Sequence, residues 1–131
     1  MKRTVFAIVF LVTMLTGCLD LSQDTQPEGT LTGKVTIGPL CPVEPCDLTE
    51  EEIFAAYEAR KILIYNRDTT VVLWKAGINH DSTYTVPLVQ GSYIVDIDTI
   101  GIDHSSDVPA LVNIVAGNTT RLDIDIDTGI R

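Results

Sequence analysis

Residues 30–37 read Thr-Leu-Thr-Gly-Lys-Val-Thr-Ile, an alternation of apolar and polar side chains. Leu31, Val35 and Ile37 lie on one side of an extended chain, and Lys34 and the threonines lie on the other. Because successive side chains of a β-strand point to opposite faces of a sheet, the alternation predicts a strand with one buried face. The folded part of the chain therefore opens with a β-strand.

Short strands follow this one at regular spacing, separated by turns that contain Gly, Asn or Asp. Their predicted ranges are 60–66, 71–76, 82–88, 92–98, 110–116 and 120–127. Together with the first strand they make seven, with almost no helix, and this pattern is typical of a two-layer antiparallel β-sandwich. A chain of 131 residues has a one-domain length, so we expect a single all-β sandwich over residues 29–131.

The segment between the first two strands interrupts the β pattern and carries a helix signal. Thr49 is followed by three glutamates, which is a capping-box sequence with acidic residues in the first helical turn. A short helix over 49–57 is therefore predicted, with Ile53, Phe54 and Tyr57 as its packing face.

The N-terminal residues 1–17 have the composition of a secretory signal peptide. Lys2 and Arg3 precede an apolar run of eleven residues that extends from Val5 to Leu15. The run fits the apolar region of a signal and is short for a transmembrane helix. We therefore expect this segment to be removed when the protein is exported.

The stretch Leu15-Thr16-Gly17-Cys18 resembles the lipobox of bacterial lipoproteins, in which an apolar residue and two small residues precede an invariant cysteine. The resemblance implies cleavage before Cys18 and attachment of diacylglycerol to its sulfur, usually with acylation of the new amino terminus. Two or more acyl chains anchor a protein stably in a membrane, whereas one chain is marginal. Residues 18–28 then form a short polar tether. Leu19, in place of the Asp that retains lipoproteins at the inner membrane, favours outer-membrane delivery in an organism that has one.

The charge balance excludes one large class of partners. The chain has a formal charge of −9, and removal of Lys2 and Arg3 with the signal takes it to −11. So acidic a surface repels phosphate backbones and anionic lipid headgroups. Nucleic acid is therefore not an expected partner, and we expect membrane attachment to come from the lipid on Cys18.

With Cys18 lipidated, Cys41 and Cys46 remain as an even pair in an oxidising compartment. They lie five residues apart in a proline-containing loop, a spacing suited to a local disulfide. A two-cysteine metal site lacks further Cys or nearby His ligands, and the C-x4-C spacing is not that of a redox pair. A structural disulfide is therefore predicted.

Residues 77–98 contain an Asp-bearing turn, Tyr84, an apolar-Pro step and the triplet Gly91-Ser92-Tyr93. This pattern resembles the carboxypeptidase-regulatory-like domains, which are prealbumin-like (transthyretin-like) sandwiches. One departure is Ser82, which stands where a Gly commonly follows the Asp. The resemblance implies this fold over residues 29–131 and an accessory, spacer or binding role more often than catalysis.

Two enzyme groups use related folds, and neither matches this chain. The transthyretin-like hydrolases end in Tyr-Arg-Gly-Ser, whereas residues 128–131 read Thr-Gly-Ile-Arg. The intradiol dioxygenases bind iron with two Tyr and two closely spaced His, whereas His80 and His104 are 24 residues apart. We therefore expect neither an enzyme nor a cofactor.

Three carboxylates alternate along the last predicted strand, at Asp123, Asp125 and Asp127. They project from one face, where they are either a solvated outer surface or ligands of a calcium ion, which prefers several oxygen ligands. No EF-hand loop accompanies them, so the solvated surface is favoured.

Trp74 is the other candidate ligand residue. With Tyr65, Tyr84 and Tyr93 it either forms a stacking platform for a sugar ring or packs within the sandwich. Packing is favoured, since aromatic residues in strands are more often part of a core.

The sequence as a whole predicts a lipid-anchored, non-catalytic module that binds or spaces an envelope protein. A carbohydrate-binding module is the alternative, and a calcium-binding domain is a more distant one. Edge strands offer a route to a protein partner by strand addition, but no residue identifies which edge is used.

Overall fold

The computed structural model describes residues 25–43 and 45–131. The expected signal peptide, Cys18 and the tether up to residue 24 lie outside the described residues. The described part forms eight strands and one α-helix. In chain order these are β1 Glu28–Gly38, α1 Glu50–Glu58, β2 Lys61–Asn66, β3 Val72–Gly77, β4 Thr83–Val89, β5 Gly91–Asp98, β6 Ala110–Ile114, β7 Thr119–Arg121 and β8 Ile124–Asp127. Within the described ranges, no helix is long and apolar enough to cross a membrane.

The strands form two sheets that enclose one apolar core. In the first sheet the order is β4-β1-β7, and β8 also pairs with β1; in the second it is β3-β2-β5-β6. The alternation predicted for the first strand is observed, because Leu31, Val35 and Ile37 are all buried in the core. The prediction of an all-β two-sheet sandwich is confirmed.

The structure differs from the prediction at the C-terminal strand. The range 120–127 is two strands, β7 and β8, so the described chain has eight strands rather than seven. Both run parallel to β1, so the sandwich is not wholly antiparallel. Thr32 pairs with Arg121 and Val35 with Ile124, so the register is the same on the two sides of the break.

The break between β7 and β8 is caused by contacts with β1 and β4. The hydroxyl of Tyr84, which is fully buried, donates a hydrogen bond of 2.6 Å to the carbonyl oxygen of Leu122. A Cβ on Gly33 would lie 1.8 Å from that same oxygen, so only glycine allows this close approach. Asp123 Oδ1 accepts the backbone N–H of Lys34 at 2.8 Å in place of a ladder bond.

Helix α1 begins where the sequence predicts it. Thr49 Oγ1 accepts the N–H of Glu52, and the carboxylate of Glu52 accepts the N–H of Thr49, which is a complete capping box. Tyr57 is buried in the core and Ile53 packs against it. The Cys41–Cys46 disulfide of the preceding loop is also confirmed, with a Cα–Cα distance of 5.7 Å.

A buried ion pair that no sequence pattern predicts joins the end of α1 to the loop after β5. Arg60 Nε donates to Asp103 Oδ2 at 2.7 Å, and Arg60 Nη2 donates to Oδ1 at 3.1 Å. Arg60 Nη1 also donates to the carbonyl oxygen of Ala56 in the helix. Burial opposes ionisation of Asp103, but the hydrogen bonds from Arg60 and from the Ile100 N–H outweigh it and hold the pKa of this carboxyl below its usual value.

Candidate functional site

The apolar side chains of β3 and of the residue before it are exposed. Val71, Val72, Leu73 and Trp74 are 52%, 40%, 49% and 50% exposed, and we call these four residues the β3 edge patch. β3 is the outermost strand of its sheet, since it pairs with β2 on one side alone. The patch thus combines apolar side chains with a strand edge that pairs with no other strand of the described chain.

A bulge in β3 sets the geometry of the patch. Ile64 pairs with Trp74, but the next β2 residue, Tyr65, pairs with Val72, so Leu73 is an extra residue. Trp74 lies on the core side of the sheet, opposite buried Ile64, and Val72 lies on the outer side. The patch therefore presents apolar groups on both sides of one edge.

The outer side of the patch continues as a row across the sheet. Val72 is the cross-strand neighbour of Tyr65, Tyr65 of Ile94, and Ile94 of Leu111. Tyr65 and Ile94 are half-buried and Leu111 is 56% exposed. Four apolar residues on the solvent face of a sheet form a larger apolar surface than singly scattered ones.

Three other edge strands, β4, β6 and β8, carry features that block pairing. β4 contains Pro87, which has no N–H, and β6 has five residues and follows Pro109 directly. Proline, charge and short length are the usual means of protecting an edge strand. β8 is covered, because Asp127 and His104 exchange two backbone hydrogen bonds and Asp107 accepts the N–H of Asp125.

Two of the three carboxylates predicted as a candidate ligand face, Asp123 and Asp127, are held by separate partners, whereas Asp125 bonds to Asp107 through its backbone N–H. Asp123 binds the Lys34 N–H and Arg121, and Asp127 binds the Gly129 N–H and Arg131. In residues 25–43 and 45–131 no three His, Cys, Asp or Glu side chains are grouped so that they could hold a metal ion. The hydrogen bond from Arg131, followed by that from the Gly129 N–H, lowers the pKa of Asp127 to about 2.

A shallow cleft of about 210 Å3 lies beside Asp127 and is lined by His104, Ser105, Ser106 and Asp125. The Oγ of Ser105 accepts the N–H of Asp107 at 3.2 Å, and Nδ1 of His104 lies 3.5 Å from the carbonyl oxygen of Ile102. His80 lies in another contact, stacked on Phe54 at a centroid distance of 4.3 Å. The two histidines thus have different neighbours.

The aromatic residues considered for a sugar platform occupy different environments. Tyr84 is fully buried in the core, where burial is the main cause that raises its pKa. Tyr93 is half-buried and donates its hydroxyl to the carbonyl oxygen of Val89. Trp74 lies at the β3 edge, and Tyr65 lies on the outer row. The four rings therefore do not form one surface platform.

Trp74 and the carboxylates also lie in different sheets, Trp74 on β3 and the three aspartates along the β8 edge. The remaining members of the β3 edge patch were not predicted as site residues. The signal was present in the run Val71–Trp74, because four consecutive apolar residues cannot all face one core in a strand whose side chains alternate.

No family model matches the sequence, and no curated protein matches it. The fold is similar to that of GBS52, a minor pilin of Streptococcus agalactiae, with a TM-score of 0.53 and 10% identity. That match covers 78% of this chain and 45% of the pilin. At this identity the likeness concerns the fold alone.

Two solved DUF3823 family proteins are also similar to this chain. The protein from Parabacteroides merdae is 18% identical with a TM-score of 0.42, over 77% of this chain and 46% of its own. The protein from Bacteroides ovatus is 16% identical with a TM-score of 0.43, over 75% and 44% respectively. This chain spans less than half the length of each of the three structures. The resemblance to carboxypeptidase-regulatory-like domains stays a prediction.

Proposed function

We propose that the protein is a lipid-anchored, non-catalytic module of the cell envelope that binds a protein partner through the β3 edge patch. The observation that carries this proposal is the exposure of Leu73 and Trp74 on a strand edge that no other described strand pairs with. Each apolar side chain removed from water on binding contributes about 25 cal/mol per Å2 of buried surface. Aromatic anchors of this kind dominate the affinity of protein interfaces.

The proposed anchor is the lipid on Cys18. An acidic domain with a formal charge of −11 after processing is repelled by anionic headgroups, so acyl chains supply the attachment. Cys18→Ser is expected to move the protein from the membrane fraction to the soluble fraction, with loss of labelling by a clickable palmitate analogue. Retention of the variant in the membrane fraction contradicts the anchor.

The binding role is tested by chemical cross-linking in cells, followed by capture from detergent-solubilised envelope. We expect the wild-type protein to yield one reproducible protein partner and Trp74→Ala to yield at least tenfold less of it. Val115→Ala is a matched control, because Val115 is 53% exposed and lies beyond β6, away from the patch. Equal amounts of captured partner from Trp74→Ala and Val115→Ala would show that the β3 edge patch is not the binding surface.

Carbohydrate binding is the alternative that the same residue allows. Trp74 is the single tryptophan of the chain, so its emission reports directly on any ligand that stacks against it. A saturable emission shift on adding envelope glycans, with no protein captured by cross-linking, would replace the protein partner by a sugar ligand.

A further inference from the structure

We infer that the partner of the β3 edge patch adds a strand to β3, and that this strand is apolar and carries a carboxylate beside Lys75. The inference rests on the proposed function, because it specifies how the same patch binds. Strand addition differs from packing on a flat apolar surface, since it requires backbone donors and acceptors that point away from the sheet.

The outward backbone groups follow from the pairing of β2. The N–H of Asn66 donates to the Val71 carbonyl oxygen at 3.1 Å, so the even-numbered residues of β2 direct their backbone groups toward β3. The β3 residues paired with them, Trp74 and Ala76, direct their backbone N–H and C=O groups back toward β2. Lys75, which lies between them, directs its N–H and C=O away from the sheet, and so does Gly77.

The β2–β3 hairpin is itself basic, whereas the chain as a whole is acidic and the neighbouring strand β5 carries Asp96 and Asp98. The β2–β3 hairpin, residues 61–77, carries Lys61, Arg67 and Lys75 against one acid, Asp68, in a chain whose formal charge is −9. Lys75 has a long contact of 3.9 Å with Asp98, and both side chains are more than half exposed. Because this contact is long and the ammonium is more than half exposed, Lys75 can also reach a carboxylate on an added strand.

A second copy of the chain fits this edge less well. Two copies paired antiparallel about Lys75 would bring two ammonium groups opposite each other, and like charges directly opposite in a sheet are destabilising. The net charge of −9 per chain adds long-range repulsion. Charge complementarity therefore favours a different protein of less negative net charge, whose apolar strand carries a single carboxylate opposite Lys75.

The test uses the full chain in non-ionic detergent and three blocked peptides of alternating valine and threonine. One peptide has a central glutamate, one a central lysine, and one the glutamate with N-methylated backbone on its pairing edge. Trp74 emission reports binding. We expect the glutamate peptide to shift the emission and to bind about fivefold more tightly than the lysine peptide, whereas the N-methylated peptide has no effect.

Two substitutions at Lys75 distinguish the contribution of its backbone N–H to binding from that of its side chain. Lys75→Pro removes the outward N–H while leaving the β2 ladder intact, and we expect it to abolish binding. Lys75→Ala retains the N–H, so it should keep binding but lose the preference for glutamate. The N-methylated peptide gives the same information on the wild-type protein should Lys75→Pro not fold.

Three results would overturn strand addition. The first is binding of the N-methylated peptide, which would leave the patch as a flat docking surface and the proposed function intact. The second is no emission shift with the glutamate peptide up to about 1 mM, the range of weak encounters. The third is a shift without peptide that grows with protein concentration, which would identify a second copy as the occupant.

Discussion

At the scale of single residues, two backbone positions determine how the chain closes its first sheet. Gly33 lets the Leu122 carbonyl reach the buried Tyr84 hydroxyl, and Ser82 adopts a left-handed conformation with φ 68° in the turn before β4. Ser82 stands where a glycine is common in the resembling domains, and its positive φ is the physical reason that glycine suits this position. The contact of Gly33 could not be anticipated, because its partner is 89 residues away.

Gly33→Ala is expected to destabilise the protein by about 3 kcal/mol, because the new methyl group overlaps the Leu122 carbonyl and displaces it from Tyr84. Urea unfolding followed by far-ultraviolet circular dichroism measures this loss. A change below about 0.5 kcal/mol would mean that the break between β7 and β8 does not depend on this contact.

Ser82→Gly is expected to act in the opposite direction, with a gain of about 0.5 kcal/mol. Glycine relieves the steric cost of the left-handed conformation, and its larger entropy in the unfolded state offsets part of that gain. The same unfolding measurement applies, with Ser92→Gly on β5 as a control that should destabilise. A loss of stability in Ser82→Gly contradicts the observed backbone conformation.

At the scale of elements, features that depend on residues close in sequence could be predicted, whereas the pairing of strands distant in sequence could not. The capping box at Thr49 and the Cys41–Cys46 spacing involve residues close in sequence, so the helix and the disulfide were predicted correctly. The position of β3 at an edge depends on which strands pair, and alternation within β3 carries no such information. The free edge, and with it the candidate site, therefore came from the structure.

The ion pair between Arg60 and Asp103 holds α1 to the loop after β5, and breaking it should be costly. We expect Asp103→Ala to destabilise the protein by about 4 kcal/mol, because the guanidinium is left buried without its counter-charge. The double variant Arg60→Met/Asp103→Leu should lose much less, since neither charge is then buried. Equal losses in the two variants would show that packing, and not the charge pair, is the main contribution.

At the scale of the whole molecule, the shifted carboxyls predict the response of stability to pH. Asp103, Asp123 and Asp127 have pKa values below the usual 3.8 in the folded state, and the value for Asp127 is about 2. Their stabilising contribution is fully present above pH 3.8 and is lost as the pH falls through the folded values.

The free energy of unfolding is therefore expected to be level from neutral pH to about pH 5 and to fall between about pH 4 and pH 2. Chemical unfolding at a series of pH values measures this curve. Asp127→Asn, which cannot titrate, should make the fall shallower without changing its direction. A stability that stays constant down to pH 2 contradicts the assigned hydrogen bonds.

In the envelope, the β3 edge patch is proposed to be the surface through which the whole protein meets its partner. A photoreactive amino acid placed at Leu73 in the lipidated protein in living cells tests it most directly, with the same group at Val115 as the control. The two positions are similarly exposed, at 49% and 53%, but Leu73 lies on β3 and Val115 directly follows β6, the strand at the opposite edge of the second sheet. We predict that irradiation gives one discrete cross-linked protein from position 73 and none from position 115. The same products from both positions, or a discrete product from position 115 alone, would contradict the claim.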